Sequence, residues 1–233
     1  MSTIDDKAVS ARDVRPPLPP NHHGDAGPSG GIVGYLSGLT MIVGRSRDAR
    51  LVTRIADVDE TDHVVDIGCG PGTAARTAAR AGARVTGIDP SAPMLRLARL
   101  VSRLRPGSSE MSWLRAGAED LPLPNASSTV CWSLASVHHW RDLNAALFEV
   151  SRVLQPGGRF VALERRVRVG ASGLASHGWT PEQAERFAAL LNDAGFLGVQ
   201  VRDRDLGRRG VVAVTATKPV RATTECSDDP ETS

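Results

Sequence analysis

The stretch Val64-Val-Asp-Ile-Gly-Cys-Gly-Pro-Gly-Thr73 indicates how this chain folds. Its first half belongs to a short apolar run, which predicts a strand over 63–67. Its end opens an alanine-rich segment, 73–81, that is typical of a helix. Glycines between a strand and a helix permit backbone angles closed to other residues, and they let a ligand touch the main chain. A tight turn without a ligand is the alternative, but the elements on both sides favour a ligand-binding loop.

Strands and helices alternate outward from this loop. Further strands are predicted over 84–88, 111–115, 129–134, 160–164, 196–201 and 211–216, and helices over 91–104, 143–154 and 181–194. Gln155-Pro-Gly-Gly is expected to stop one helix and turn the chain. Thr180, Pro181 and Gly195 are typical of the cap, first position and end of another. The alternation predicts an α/β fold with a mainly parallel sheet, in which ligands bind beyond the carboxyl ends of the strands.

The composition limits the possible partners. The chain has 233 residues and a net charge of only +2, so one substantial domain is expected and no electrostatic argument favours nucleic acid. Three isolated cysteines, Cys69, Cys131 and Cys226, form no disulfide pattern and fit a reducing cytoplasm. The longest apolar stretch, 32–43, is interrupted by glycines and is too short to span a bilayer. We therefore expect a cytoplasmic protein without stable membrane insertion, and the sequence leaves its oligomeric state open.

Four regions follow from these patterns. Residues 1–30 are rich in Pro, Gly, Asp and Ser and are expected to form a flexible arm. Residues 31–56 regain helical spacing and are predicted to form a helical lid. Residues 57–219 hold the alternating elements of the main domain, and 220–233 are a polar tail expected to be disordered.

The glycine pattern also suggests a ligand. Dinucleotide enzymes favour G-x-G-x-x-G, whose amides face a pyrophosphate. Here the loop is G-x-G-x-G and follows Asp66, which suits a ligand with a cationic amino group and no phosphate. S-adenosylmethionine is such a ligand. A nicotinamide-dependent oxidoreductase is the less favoured alternative, because its third glycine should fall one residue later than Gly72.

The motifs together resemble a known family. Asp66-Ile-Gly-Cys-Gly-Pro-Gly is similar to motif I of class I S-adenosylmethionine-dependent methyltransferases, and Val85-Thr-Gly-Ile-Asp resembles their second motif. Ala116-Gly-Ala-Glu-Asp-Leu-Pro resembles the adenine loop. Residues 133–140 and Leu154-Gln-Pro-Gly-Gly-Arg-Phe match the small-molecule (methyltransferase type 11-like) branch. The likeness covers 62–219 and implies a Rossmann-like, seven-stranded sheet with one antiparallel strand and helices on both faces.

The resemblance assigns the cofactor loop its roles. It implies that Gly68 and Gly70, in the loop completed by Gly72, lie under the methionine part, and that Asp66 helps hold its amino group. Asp89 should accept two hydrogen bonds from the ribose, which suits a carboxylate because it offers two acceptor oxygens. The alternative for Asp89 is a cap on the helix that starts near Ser91.

The remaining cofactor contacts are expected around the adenine and at the end of strand four. Ala118 and Glu119 should lie by the adenine, and Leu134 should offer backbone contacts to the methionine end. Many relatives carry Asp or Asn where this chain has Gly117. Glu119 or a backbone carbonyl is therefore expected to take over recognition of the adenine amine.

Histidines mark the expected acceptor side. His138 and His139 follow strand four, and imidazole suits a general base near neutral pH. The alternative is that the pair, together with Trp140, is a packing and capping element before the next helix. His22 and His23 lie in the arm and His177 after strand five, but no ligand spacing supports a metal cluster, so no metal is predicted.

The acceptor itself is not named by the sequence. The apolar segment 32–43 suggests a small, partly apolar acceptor such as a phenol, a quinone precursor or a lipid-like metabolite, and its alternative is a helix that packs on the sheet. A catalytically inactive cofactor-binding or regulatory protein with this fold is the second functional alternative, because its cofactor motifs would survive.

Overall fold

Seven strands form a single mixed sheet. The structure is a computed structural model that describes residues 46–104, 110–172, 176–205 and 210–220. The strands run in the order β3-β2-β1-β4-β5-β7-β6, and β7 alone is antiparallel to its neighbours. This confirms the predicted fold. The strands are β1 His63–Ile67, β2 Arg84–Ile88, β3 Met111–Leu114, β4 Ser128–Leu134, β5 Leu154–Arg165, β6 Leu197–Asp205 and β7 Gly210–Thr217.

Helices cover both faces of this sheet. They are α1 Ser46–Ile55, α2 Thr73–Arg80, α3 Ala92–Arg103, α4 Leu143–Val153 and α5 Pro181–Asp193. Apolar residues of α1 and α2 share one buried cluster with one set of strand residues, and those of α4 and α5 share a second cluster. The neighbours Val64 and Val65 of β1 fall in different clusters, because successive side chains of a strand point to opposite faces. A central strand buried on both faces therefore reads as a continuous apolar run.

Strand register brings the functional loops together. Ile67 pairs with Ile88, and Leu134 with Leu163, so β1 and β2 end level, as do β4 and β5. The carboxyl ends of these four strands meet at one edge of the sheet. We call it the carboxyl edge.

Two predicted boundaries differ from the structure by more than one residue. β5 begins at Leu154 rather than at residue 160, with a register shift opposite Ser128 and Val130 that accommodates Gln155-Pro-Gly-Gly. This segment stays in the sheet because the Gly157 amide donates to the Lys218 carbonyl and the Lys218 amide donates to Gly158. β6 continues to Asp205 rather than ending at 201, since it pairs with the whole length of β7.

The caps of α5 confirm the helix signals. The Thr180 hydroxyl accepts from the Gln183 amide, and the Gln183 side-chain oxygen accepts from the Thr180 amide. Pro181 is the first residue of the helix. Gly195 follows the end with a φ of +82°. At the start of the domain, α1 buries Ala49, Leu51 and Val52 in the same cluster as α2.

Several predictions lie outside the described residues. These are the flexible arm, residues 31–45 of the predicted lid, His22 and His23, and the tail beyond 220. Among the residues that the structure describes, no helix combines the length and apolarity needed to cross a membrane.

Candidate cofactor and acceptor site

The glycine loop joins β1 to α2 at the carboxyl edge. Gly68, Gly70 and Gly72 have φ values of +72°, +52° and +77°, a region that L side chains rarely adopt. A Cβ at Gly68 would collide with Ser136, and one at Gly72 with the Trp113 ring. At Gly70 it would meet no described atom within 4 Å. Gly70 is thus the loop position at which the backbone faces open space.

Asp66 lies directly under this loop with an unpaired oxygen. Its Oδ2 accepts from the Ala75 amide at 3.0 Å, whereas Oδ1 has no hydrogen-bond partner among the described residues. Burial raises the pKa of this carboxyl to about 7, although Trp132 and the Ala75 amide favour the charged form. A ligand with a cationic amino group fits the unpaired Asp66 oxygen, because it would supply the missing donor and a compensating positive charge.

Asp89 ties the second strand to the glycine loop. Its Oδ2 accepts from the Gly70 amide and its Oδ1 from the Ser91 amide, both at 2.8 Å. Burial raises the pKa of this carboxyl as well. Asp89 is not the cap that was its alternative role: the cap position of α3 is Ser91, and Asp89 binds the amide of that residue. Each carboxylate oxygen has a second lone pair, so ribose binding is compatible with both contacts and stays a prediction.

In the segment predicted to lie by the adenine, Gly117 and Glu119 are close neighbours. Ala118 is buried, and the Glu119 Oε1 accepts from the Arg141 amide at 2.7 Å. The other Glu119 oxygen lies 2.7 Å from the place a Cβ at Gly117 would occupy. A side chain at position 117 would therefore require the carboxylate end of Glu119 to shift.

The end of β4 carries a strained residue. Leu134 is buried at the carboxyl edge, and Ala135 follows it with a φ of +50°. The Ala135 amide donates to the Leu163 carbonyl at 2.8 Å, which holds this turn against β5. Such strain is often found where a backbone is shaped for a ligand.

A serine connects this turn to the glycine loop. The Ser136 hydroxyl donates to the Ile67 carbonyl at 2.8 Å and lies 2.6 Å from the Ser133 hydroxyl. It also fills the space that a side chain at Gly68 would need. Ser136 therefore positions the residues that follow it beside the cofactor loop.

His138 and His139 lie on the short 3-10 helix Val137–His139 that follows Ser136. His138 is buried, and its Nδ1 lies 2.9 Å from the buried Glu164 Oε2. Its Nε2 has no partner among the described residues, whereas His139 is exposed. Neither histidine caps α4, because that cap is Asp142.

Trp140 and Cys69 are both packed against neighbouring residues. Trp140 packs on Phe187 with ring centroids 6.4 Å apart. Cys69 is buried, and burial raises the pKa of its thiol well above the ordinary value, so the thiol stays protonated and unreactive.

Sequence reasoning did not single out three functional neighbours, Trp113, Ser136 and Glu164. Glu164 carried the clearest signal, since a carboxylate that ends an apolar strand is rarely buried without a partner. Ser136 and Trp113 gave no such signal, because their contacts with Gly68 and Gly72 arise only when separate strands align.

Comparisons with known proteins indicate the family of the chain. Residues 65–162 match the family model of the methyltransferase domain. The ubiquinone/menaquinone biosynthesis C-methyltransferase UbiE of Rubrivivax gelatinosus is 36% identical over 185 residues, which cover 68% of this chain and 72% of that protein.

Solved structures show the same fold at lower identity. The [4+2]-cyclase SpnF has a TM-score of 0.62 at 24% identity, over 75% of this chain and 82% of its own. Geranyl diphosphate C-methyltransferase of Streptomyces coelicolor, solved with Mg²⁺, geranyl diphosphate and S-adenosylhomocysteine, has a TM-score of 0.61 at 19% identity, over 75% and 79%.

The fold alone does not decide the chemistry, since one of these neighbours is a cyclase. The decisive match is the relative aligned over most of its length, together with the matched methyltransferase domain. The unpaired Asp66 oxygen and the open face at Gly70 suit the same cofactor. The chain thus belongs to the class I S-adenosylmethionine-dependent methyltransferases, with S-adenosylmethionine as its cofactor.

Proposed function

We propose that this methyltransferase acts on a small, partly apolar acceptor with an ionisable hydroxyl or an acidic carbon, such as a phenol or a quinone precursor. The relative from Rubrivivax gelatinosus, which is named for ubiquinone and menaquinone biosynthesis, supports this class. The observation that carries the proposal is the buried pair of His138 and Glu164. This pair lies beside the cofactor loop, because Ser136, at the start of the same turn, is hydrogen-bonded to the end of β1.

The cofactor side of the proposal rests on backbone and carboxylate groups. S-adenosylmethionine supplies a methyl group already activated by its sulfonium. Asp66 and Asp89 offer oxygens for its cationic and hydroxyl groups, and the glycine loop lets the ligand approach the main chain. The residues proposed to contact it are Asp66, Gly68, Gly70, Gly72, Asp89, Gly117, Ala118, Glu119 and Leu134.

On the acceptor side, we assign the general base to His138. A carboxylate oxygen only accepts hydrogen bonds, so Nδ1 of His138 is the nitrogen that donates to Glu164. Nε2 then carries the lone pair that takes a proton from the acceptor. His139 is an equal candidate on sequence, but it is exposed, so water competes with the acceptor for its basic nitrogen.

The experiment supplies cofactor with a labelled methyl group and a fractionated cell extract, and follows the label by mass spectrometry. We expect the label in a small, partly apolar compound. His138→Gln should lower turnover about 100-fold or more, while the affinity for S-adenosylhomocysteine stays unchanged. His63→Gln is the matched control, because His63 lies at the opposite end of β1. Label found only in protein or nucleic acid would overturn the proposed acceptor class.

Nucleic acid is not among the proposed acceptors, since the net charge of +2 gives it no electrostatic attraction. We also propose a cytoplasmic location, because Cys69 and Cys131 are buried free thiols.

A further inference from the structure

Three imidazole rings meet at the carboxyl edge. His138 and His139 follow β4, and His177 lies in the link between β5 and α5. The ring centroids of His138 and His139 are 4.0 Å apart, and that of His177 lies 5.6 and 5.7 Å from them. One nitrogen of each ring lies within 4.8 Å of those of the other two. We call these three residues the histidine cluster.

Backbone contacts hold His177 at this place. The Arg165 Nε donates to the His177 carbonyl at 3.0 Å. Two residues further on, the Trp179 amide donates to the Arg165 carbonyl at 2.8 Å. The Val167 amide donates to the Trp179 carbonyl, also at 2.8 Å. Trp179 itself is buried in the core. The approach of His177 to the other two rings is therefore fixed by the fold.

His138 is oriented as metal-binding histidines usually are. Its Nδ1 bonds to Glu164, and the second Glu164 oxygen accepts from the Val137 amide at 2.9 Å. A carboxylate behind a ligating imidazole fixes the tautomer and the ring, and raises the basicity of the other nitrogen. That nitrogen, Nε2, belongs to a side chain only 3% exposed and has no partner within the described ranges. A buried polar atom left without a partner is costly, and a bound ion would satisfy it.

The chemistry of three imidazoles selects a class of ion. Imidazole nitrogens suit Zn²⁺, Cu²⁺, Ni²⁺ and similar ions, whereas Mg²⁺ and Ca²⁺ prefer oxygen. Bonds of about 2.0–2.1 Å in a tetrahedral site place the nitrogens about 3.3 Å apart. The nitrogens must therefore approach one another by at most about 1.5 Å from the 4.8 Å limit, which the exposed His139 can accommodate.

We propose that His138, His139 and His177 bind one divalent transition-metal ion, with a fourth position left for water or an acceptor oxygen. This goes beyond the proposed methyl transfer, which needs only the lone pair of His138. Metal on Nε2 occupies that lone pair, so the metal-bound protein cannot use His138 as its base. The spacing in sequence did not predict this site, because His177 is distant along the chain from the other two.

The test is titration of the full chain with Zn²⁺ alone by calorimetry, and with Co²⁺ alone by visible absorption. All variants carry His22→Ala and His23→Ala, so that this histidine pair cannot contribute. We expect one ion per chain and the strong visible bands of tetrahedral cobalt. His177→Ala should weaken binding at least 100-fold, and Glu164→Gln about 10- to 100-fold. His63→Gln is the control and should bind as the parent does.

Titration of each variant with S-adenosylhomocysteine checks that the fold and the cofactor loop survive. Binding of no ion, or equal binding with and without His177, would overturn the metal site. Methyl transfer is read separately from the labelled product, so a protein that methylates without binding metal would contradict only the metal proposal. One that binds metal but labels no small molecule even after the metal is removed by a chelator would contradict only the proposed function.

Discussion

The two halves of the carboxyl edge are built in different ways. At β1 and β2 the cofactor half uses backbone amides, three glycines in the left-handed region, and two carboxylates that bind nearby amides. At β4 and β5 the acceptor half uses the side chains of His138, Glu164 and His177, which come from separate elements. A site made from one short loop can be recognised in a sequence, whereas a site made from distant side chains exists only after folding. The four variants below test this division.

The largest effect is expected for Gly70→Val. A branched side chain at a φ of +52° is strained, and its Cβ enters the open space proposed for the cofactor. Affinity for S-adenosylhomocysteine, measured by calorimetry, should fall by at least about 100-fold, or about 2.7 kcal/mol. Gly195→Val is the matched control, since Gly195 also has a positive φ and open surroundings but lies at the end of α5. Equal affinity in the two variants would place the ligand elsewhere.

A smaller loss is expected for Asp89→Ala. Hydrogen bonds to a charged group contribute about 1.5–3 kcal/mol, so the affinity should drop about 10- to 100-fold. If Asp89 only connects Gly70 to Ser91, the variant should instead lose thermal stability and keep its affinity once folded. Calorimetry and thermal unfolding on the same samples distinguish the two roles.

Asp66 should make cofactor binding depend on pH. Its pKa of about 7 in the free protein means that the carboxyl is largely protonated below pH 7. A cationic amino group binds the charged form of Asp66, so the carboxyl must lose its proton when the cofactor binds. The affinity should therefore fall by up to about tenfold for each pH unit below 7 and stay constant above it. Asp66→Asn should flatten this profile. A wild-type profile that is already flat between pH 6 and 8 would remove Asp66 from the amino-group site.

The smallest effect is expected at the connection between the halves. Ser136→Ala removes the hydrogen bond to the Ile67 carbonyl and the partner of Ser133, which should lower the free energy of unfolding by about 1–3 kcal/mol. Ser127→Ala is the control, because its bond to the Pro124 carbonyl is exposed and should contribute about 0.5 kcal/mol or less. Denaturant unfolding measures both. A Ser136 variant as stable as its control would show that the two halves are joined by the sheet alone.

Sequence patterns predicted the cofactor half well for a physical reason. The apolar run of β1, the alanines of α2 and the glycines between them each act locally, so the predicted bounds of β1 and β2 agree with the structure. The start of β5 was wrong, because its proline and glycines look like a turn but are held in the sheet by Lys218. Glu119 has a partner that was missed for a similar reason, the Arg141 amide from another segment, and its contact with the adenine stays a prediction. Neither contact can be recognised from the residues on either side of it in the sequence.

The acceptor half shows the same limit more strongly. His138 and His139 could be recognised as candidates, but nothing nearby in sequence indicates that Glu164 orients one of them. His177 is distant in sequence, and only the link anchored by Arg165 brings it to the other rings. The choice between a base and a packing role therefore needed the fold.

Amide hydrogen exchange with and without S-adenosylhomocysteine tests most directly where the cofactor lies. The account predicts new protection at 68–72, at Asp89 and over 117–119, which meet at the carboxyl edge. It predicts no change at Gly82 or Gly195, which follow α2 and α5 at the opposite edge. Protection at that opposite edge, with the glycine loop unchanged, would contradict the account.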